Sequence, residues 1–459
     1  MVRSSGALRI VSPNGHLGFG KTRLESLRIA LASGVDYIIA DAGSSDVGPR
    51  PLGSDSCASP HDWQEHDLRH LLLAAREHDV PMIIGSAADA GSRYGVDLFV
   101  DMVRRIAAEE SLPPFRIGYF YSDLRSDMLL GRLDRGERIR GLDGRPDADR
   151  ATVARTVRAV AVAGVDPYLE LLERGADVII GGRSSDCAIF AAPAIRAGFP
   201  EAPAYFLGKV LECASFCAEP YGAKESVVGE IRIDSVDVTA MAPHQRCTPA
   251  SVASHSMYER SHPHFEYFAG GMLDMSECEY EQVDERTTRV TGFRFERHDP
   301  VTVKVEGSAR LGHRYVGIAA VRDPHLVEHV DAMMLWAREQ VEESFGTDGY
   351  ELHFHAFGRD GVLGERERSG ASPTEIAVVV ESVAEGEAAA ESICMTAVRG
   401  LFYARIPGIK GTAGNVAYLF DEVLRAEDAY EWSLNHVIEV EDPAALFPTF
   451  VVPSVEGAA

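Results

Sequence analysis

The chain has 459 residues, of which 46% are apolar and 25% charged, an ordinary balance for a globular protein with a large core. Its 70 acidic against 45 basic residues give a formal charge of −25, which repels nucleic-acid phosphates and anionic membrane surfaces and excludes both as expected partners. Seven cysteines at scattered positions, without a CxxC pair, argue against a disulfide framework, and neither a signal-like opening segment nor an apolar run of about 18 residues occurs, so a cytoplasmic location is expected.

In the first half, short continuous apolar runs alternate with amphipathic helical spacing. Strands are expected at 8–11, 37–40, 81–84, 115–120 and 178–180. Helices are expected after the first glycine-rich turn and at about 63–79, 96–110, 151–163, 168–174 and 188–197. This alternation predicts βαβ units with right-handed crossovers and helices on both faces of the sheet. The fold class for 1–220 is thus α/β, a doubly wound, mostly parallel sheet with ligand loops at the strand C-terminal ends. Beyond Pro220 the pattern changes: 227–239 and 287–317 alternate with period two, as antiparallel strands do. A helix at 324–344, strands at 350–357 and 375–383, a helix at 385–403 and a last stretch at 435–441 complete an α+β domain over 221–459, expected to close the site.

Polar and glycine residues gather directly after the expected strands. Asn14-Gly-His-Leu-Gly-Phe-Gly20 follows the first, where amides opening a helix can hold a phosphate or carboxylate, with Asn14 and His16 as contacts. Its glycine spacing is not GxGxxG, and a plain βα turn is the alternative. Asp41-Ala-Gly-Ser-Ser-Asp46 puts a candidate general base at a strand end, with Ser44, Ser45 and Asp46 beside it; the same residues also suit local caps. Gly85-Ser-Ala87 with Asp89 makes a similar loop, offering Ser86. In Gly181-Gly-Arg-Ser-Ser-Asp186, glycines admit a ligand close to the backbone and Arg183 presents a planar fork to an anion. Ser184, Ser185 and Asp186 there open a helix; a structural Arg–Asp pair with an N-cap is the alternative. Tyr119 and Tyr121 share a strand face, as donors to an oxyanion or as packing residues.

Lys209 can contact substrate or act as a base if desolvated, and Lys304 and Glu306 share a strand face, as a surface ion pair or as groups closing the site. His255 is an acid–base candidate because imidazole titrates near neutrality; the nearby Cys247 is a nucleophile or an inert buried thiol. His262 with His264 and His353 with His355 have a spacing used by metal ligands, but no third or fourth ligand can be placed, so a divalent metal is unsupported and no cofactor is expected.

The segments Ser12-Pro-Asn-Gly-His-Leu-Gly-Phe-Gly20, Ala40-Asp-Ala-Gly-Ser-Ser-Asp-Val-Gly-Pro49, Ile84-Gly-Ser-Ala87, Gly181-Gly-Arg-Ser-Ser-Asp186, Leu207-Gly-Lys-Val-Leu-Glu212, Cys247-Thr-Pro249, Gly270-Gly271, Lys304-Val-Glu-Gly307 and Leu434-Asn-His-Val437 together resemble the acyclic terpene utilisation (AtuA) family. They spread over nearly the whole chain and resemble most its branch with the Asp-Ala-Gly-Ser motif. The resemblance implies a link to the breakdown of branched acyclic terpenes, a pathway of CoA thioesters, and a small companion protein as a partner.

These readings combine into an expected lyase or hydratase acting on a small hydroxy or unsaturated carboxylic acid or its CoA thioester. Arg183 would anchor a carboxylate, Asp41 or Asp186 would take a proton beside the carbonyl, and Lys209 or a loop amide would stabilise the enolate. Asp41, Asp186, Lys209 and His255 are the catalytic candidates. Asn14, His16, Ser44, Ser45, Asp46, Ser86, Arg183, Ser184, Ser185, Lys304 and Glu306 are the substrate-binding ones. The alternatives are a non-catalytic ligand-binding subunit that needs its companion, and a CoA transferase or thioesterase using a nucleophile such as Cys247. A homo-oligomer is expected because most soluble assemblies are symmetric.

Overall fold

The computed structural model describes residues 6–260, 262–370, 373–418 and 423–455. Five of the apolar runs form parallel strands, Leu8–Ser12, Tyr37–Gly43, Met82–Asp89, Arg116–Phe120 and Val178–Ile180, with the last inserted between the third and the fourth. Successive side chains along them enter opposite cores: Ile39, Ile83 and Ile179 one, Ile38, Ile84 and Ile180 the other. Helices Asp166–Glu173, Asp186–Arg196 and Glu201–Leu211 fill the first core, and His61–Glu77 and Arg93–Glu109 the second. A strand buried on both faces needs no polar alternation, which is why these runs read as continuously apolar. The α/β, doubly wound reading of the N-terminal region therefore holds.

Past residue 220 the pairing turns antiparallel, as the period-two pattern implies, but the strands extend the same sheet. Val227–Ile231 pairs with Leu8–Ser12, and Val236–Ala240, Thr287–Thr291 and Glu279–Gln282 follow outward. At the other edge Thr449–Pro453 pairs antiparallel with Arg116–Phe120. The chain forms two compact units, Met1–Ala309 with Trp432–Ala459, and Arg310–Glu431. The second has its own core, in which helices Val330–Phe345 and Glu387–Tyr403 pack on antiparallel strands Tyr350–Phe357 and Ile376–Ala384. No helix among the described residues is long and apolar enough to cross a membrane.

Two of the differences from expectation bear on the site. The helix anticipated over 151–163 is a short helix, Arg150–Arg155, followed by a strand, Arg158–Ala161. Its Arg-Ala-Val-Ala composition tolerates helix, but its backbone pairs with Asp123–Leu124 and with the long strand Val301–Val321. This second pairing sets Glu306 opposite Val160 and so brings it to the strand ends. The helix Glu201–Leu211, which carries Lys209, is absent from the sequence reading.

Candidate functional site

The C-terminal ends of Leu8–Ser12 and Tyr37–Gly43 and the start of helix Asp186–Arg196 converge on a cavity of about 480 Å³. Asn14, His16, Asp41, Ser44, Asp46 and Asp186 line it, joined by Glu212, Cys213, Lys224 and Tyr258, which the sequence reading did not single out. Phe19, Phe216 and Tyr221 also line it and are 44, 53 and 59% exposed, so apolar surface stands at its mouth. Ser44 is shared with an adjoining recess that holds Ser45, Asp89, Arg183 and Glu306. Lys304 borders a further pocket with Ser45 and Glu306.

Asp41 sits where the pairing of its strand with Met82–Asp89 loses register. Its Oδ2 accepts the Gly43 N–H at 3.0 Å, while its Oδ1 is buried without a hydrogen-bond partner among the described residues. Burial, and then the Asp186 carboxylate, raise its pKa well above the carboxylate range; Arg183 and the Gly43 N–H offset only part. Asp186 is also raised by burial, but Arg183 and Lys209 oppose the rise. Two buried carboxyls repel when both are ionised, so the pair resists losing both protons, and Arg183 and Lys209 favour the ionised form of Asp186.

Arg183 is a fixed cation behind this pair. Its Nε and Nη2 donate to Glu306 at 2.8 and 3.3 Å, and its buried Nη1 has no partner among the described residues. Burial would raise Glu306, but Arg183 and Lys304 hold it at about 2; Lys304 Nζ donates to it at 2.8 Å. Burial, then Lys224 and Arg183, lower His16 to about 3, so its imidazole is neutral and its Nε2 is also unpartnered. Asn14 Oδ1 is a fourth such atom. Buried polar atoms are normally satisfied, so three on residues lining this cavity and a fourth, Arg183 Nη1, on a residue of the adjoining recess mark a place for a polar ligand.

Other candidates serve the framework. Lys209 is not among the lining side chains: its Nζ donates to Glu212 at 2.5 Å and lies 3.5 Å from Glu266. It instead positions Glu212, which burial pushes to about 7 against the pull of Lys209 and which also accepts from Cys187 Sγ at 3.0 Å. His255 is buried outside the lining and stacks on Tyr258; burial, then Lys209 and Arg260, lower it to about 3. The Ser86 hydroxyl accepts the Ser184 N–H at 3.2 Å and donates to the Ser184 carbonyl at 3.3 Å, and the Ser184 hydroxyl meets Tyr168 Oη. Ser185 is the N-cap of the helix that Asp186 begins. Tyr121 donates to Asp97, and Tyr119 stacks on Phe450. Cys247 is buried, and burial pushes its thiol to about 12.

Two expectations need physical correction. The space beside Gly181 and Gly182 belongs to the protein, since an added Cβ would stand 2.1 Å from Tyr168 Oη and 2.5 Å from Ser122 Oγ. The Asn14–Gly20 loop already holds an anion of the chain's own. Asp67, from helix His61–Glu77, accepts the Thr22 N–H at 2.9 Å, the Gly18 N–H at 3.5 Å and Asn14 Nδ2 at 3.1 Å. Asp67 left no local signal because it lies in an amphipathic helix far along the chain. The same holds for Glu212 and Lys224, which tertiary packing alone brings to the cavity; Lys224 Nζ donates to the His16 carbonyl at 2.7 Å.

A family model described as acyclic terpene utilisation family protein AtuA matches residues 8–424. The chain belongs to the AtuA family. No curated protein and no solved structure matches it at a significant level. The matched span takes in every residue that lines the cavity, from Asn14 to Glu259.

Proposed function

We propose that this AtuA-family chain is a lyase of the hydro-lyase kind, acting on a hydroxy or unsaturated carboxylic acid or its CoA thioester. The observation that carries this reading is the buried Asp41–Asp186 pair with its raised pKa values at a cavity wall. Carboxyls whose surroundings separate their protonation supply an acid and a base in one site. Asp186, near Arg183 and Lys209, takes a proton from the carbon beside the carbonyl. Asp41, which keeps its proton, gives it to the departing hydroxyl, which leaves as water; the reverse direction hydrates a double bond. Lys224 in the cavity and Arg183 Nη1 from the adjoining recess offer positive charge to the carboxylate or carbonyl oxygen in an otherwise acidic chain. Phe19, Phe216 and Tyr221 suit the apolar part of such a molecule.

The test begins with thermal unfolding against hydroxy acids, unsaturated acids and their CoA thioesters, where a ligand at about a hundred times its Kd stabilises by roughly 2.7 kcal/mol. With the best ligand as substrate, Asp186→Asn and Asp41→Asn are expected to bind it and to lose turnover by about 10²–10⁴. Binding by the native chain without turnover would overturn the lyase reading and favour a subunit that needs its companion. A shift with CoA itself would favour a transferase or thioesterase.

A further inference from the structure

We propose that His325, Glu328 and His329 form a binding site for a first-row divalent cation of the zinc kind in the unit Arg310–Glu431. The three residues fall where the short helix Pro324–Glu328 meets the helix Val330–Phe345. One ligand atom from each lies within 4.8 Å of the other two. Two imidazole nitrogens and a carboxylate oxygen suit zinc, nickel or cobalt; calcium and magnesium prefer all-oxygen sets.

The rings are already oriented. His329 Nδ1 lies 2.9 Å from the His325 carbonyl oxygen, and His325 Nε2 lies 2.7 Å from that of Pro407. A carbonyl oxygen only accepts, so those two nitrogens carry the protons and the remaining nitrogen of each ring keeps a lone pair. Anchoring one ring nitrogen on a backbone carbonyl is the usual support of a metal-bound histidine. The ring centroids are 4.3 Å apart, close enough for both rings to reach one ion. Gly408, next to Pro407, has φ +81°, and a Cβ there would approach His325 Nε2 to 3.2 Å, so the loop can close on the ring because glycine stands there. Asp323 is occupied as a helix cap, accepting the N–H groups of His325 and Leu326 at 2.9 and 3.2 Å. Three protein ligands leave a coordination position for water on a four-coordinate ion. None of the three residues lines the cavity around Asp41 and Asp186.

The metal-stripped full chain is titrated with zinc against a chromophoric chelator, and cobalt is then used in its place to report the donor set by visible absorption. One zinc per chain is expected, with a higher thermal midpoint on loading. His325→Ala and His329→Ala, made singly, should weaken uptake by more than about tenfold, because a direct ligand outweighs the outer partners whose loss already costs that much. Glu328→Gln should weaken it while leaving the midpoint of the metal-free chain unchanged, since Glu328 is exposed. Failure of the native chain to take up one equivalent, or equal uptake and equal cobalt absorption in the variants, would overturn the proposal.

Discussion

Arg183 faces two ways. Two of its nitrogens hold Glu306 inside the protein, and the third has no hydrogen-bond partner among the described residues. This double duty complicates the obvious experiment. Arg183→Ala leaves the buried Glu306 with Lys304 as its remaining cation, which costs up to about 3–5 kcal/mol and obscures any effect on ligand. Arg183→Met together with Glu306→Gln removes both charges and avoids that penalty. The double variant is expected to unfold at a higher denaturant midpoint than Arg183→Met alone, because no buried carboxylate is then left with only the half-exposed Lys304 to balance it. It should still raise the apparent KM for a carboxylate substrate by about tenfold or more, the worth of one charged hydrogen bond. Denaturant unfolding and steady-state kinetics on both variants decide this, and a normal KM in the double variant would sink the anchoring role.

At the scale of elements, the loop after Leu8–Ser12 takes its shape from a helix that approaches it from elsewhere. Asp67 is fully buried and gathers three donors from Asn14, Gly18 and Thr22. Asp67→Ala leaves the Gly18 and Thr22 N–H groups buried without this acceptor, at about 1–3 kcal/mol each before relaxation, while Asn14 Nδ2 keeps Thr22 Oγ1 at 2.8 Å. The expected result is a lower thermal midpoint, faster amide exchange over residues 14–22, and a weakened ligand-induced shift, since His16 and Phe19 of this loop line the cavity. Unchanged exchange in the loop would show that Asp67 does not hold it. The same case shows what sequence can and cannot reveal. The strands beginning at Leu8, Tyr37, Met82, Arg116 and Val178 were legible because burial on both faces leaves short unbroken apolar runs. Asp41, Arg183 and Asp186 were legible because they follow such runs. Asp67, Glu212 and Lys224 were not, because their place depends on packing between distant segments. Helix Glu201–Leu211 was obscured by Pro203 and Gly208; Gly208 is required because a Cβ would meet the Cys187 carbonyl at 2.3 Å. His325, Glu328 and His329 were passed over because their spacing also fits the solvated face of an ordinary helix.

At the scale of the whole molecule, the division of the chain matters more than the change in strand pairing near residue 220. Two of the three buried apolar clusters lie within Met1–Ala309 and Trp432–Ala459, and the third lies within Arg310–Glu431. A separate core is what lets a segment fold by itself. The chain leaves the first unit along the strand Val301–Val321 and returns along Ala429–Val440. These strands are hydrogen-bonded neighbours, and within the first unit a Cβ on Gly307 would stand 2.8 Å from the Leu434 side chain. Exit and return are therefore close, so closing them with a short Gly-Ser linker costs little loop entropy. Every residue lining the cavity lies in the first unit. Replacing residues 310–431 by such a linker should thus give a protein that unfolds cooperatively and binds the cavity ligand as the full chain does, while its zinc uptake disappears. Thermal unfolding with ligand and with zinc, run side by side on both proteins, separates the two sites. An unfolded or non-binding product would mean that the first unit depends on the second, and retained zinc uptake would place the metal elsewhere than on His325, Glu328 and His329.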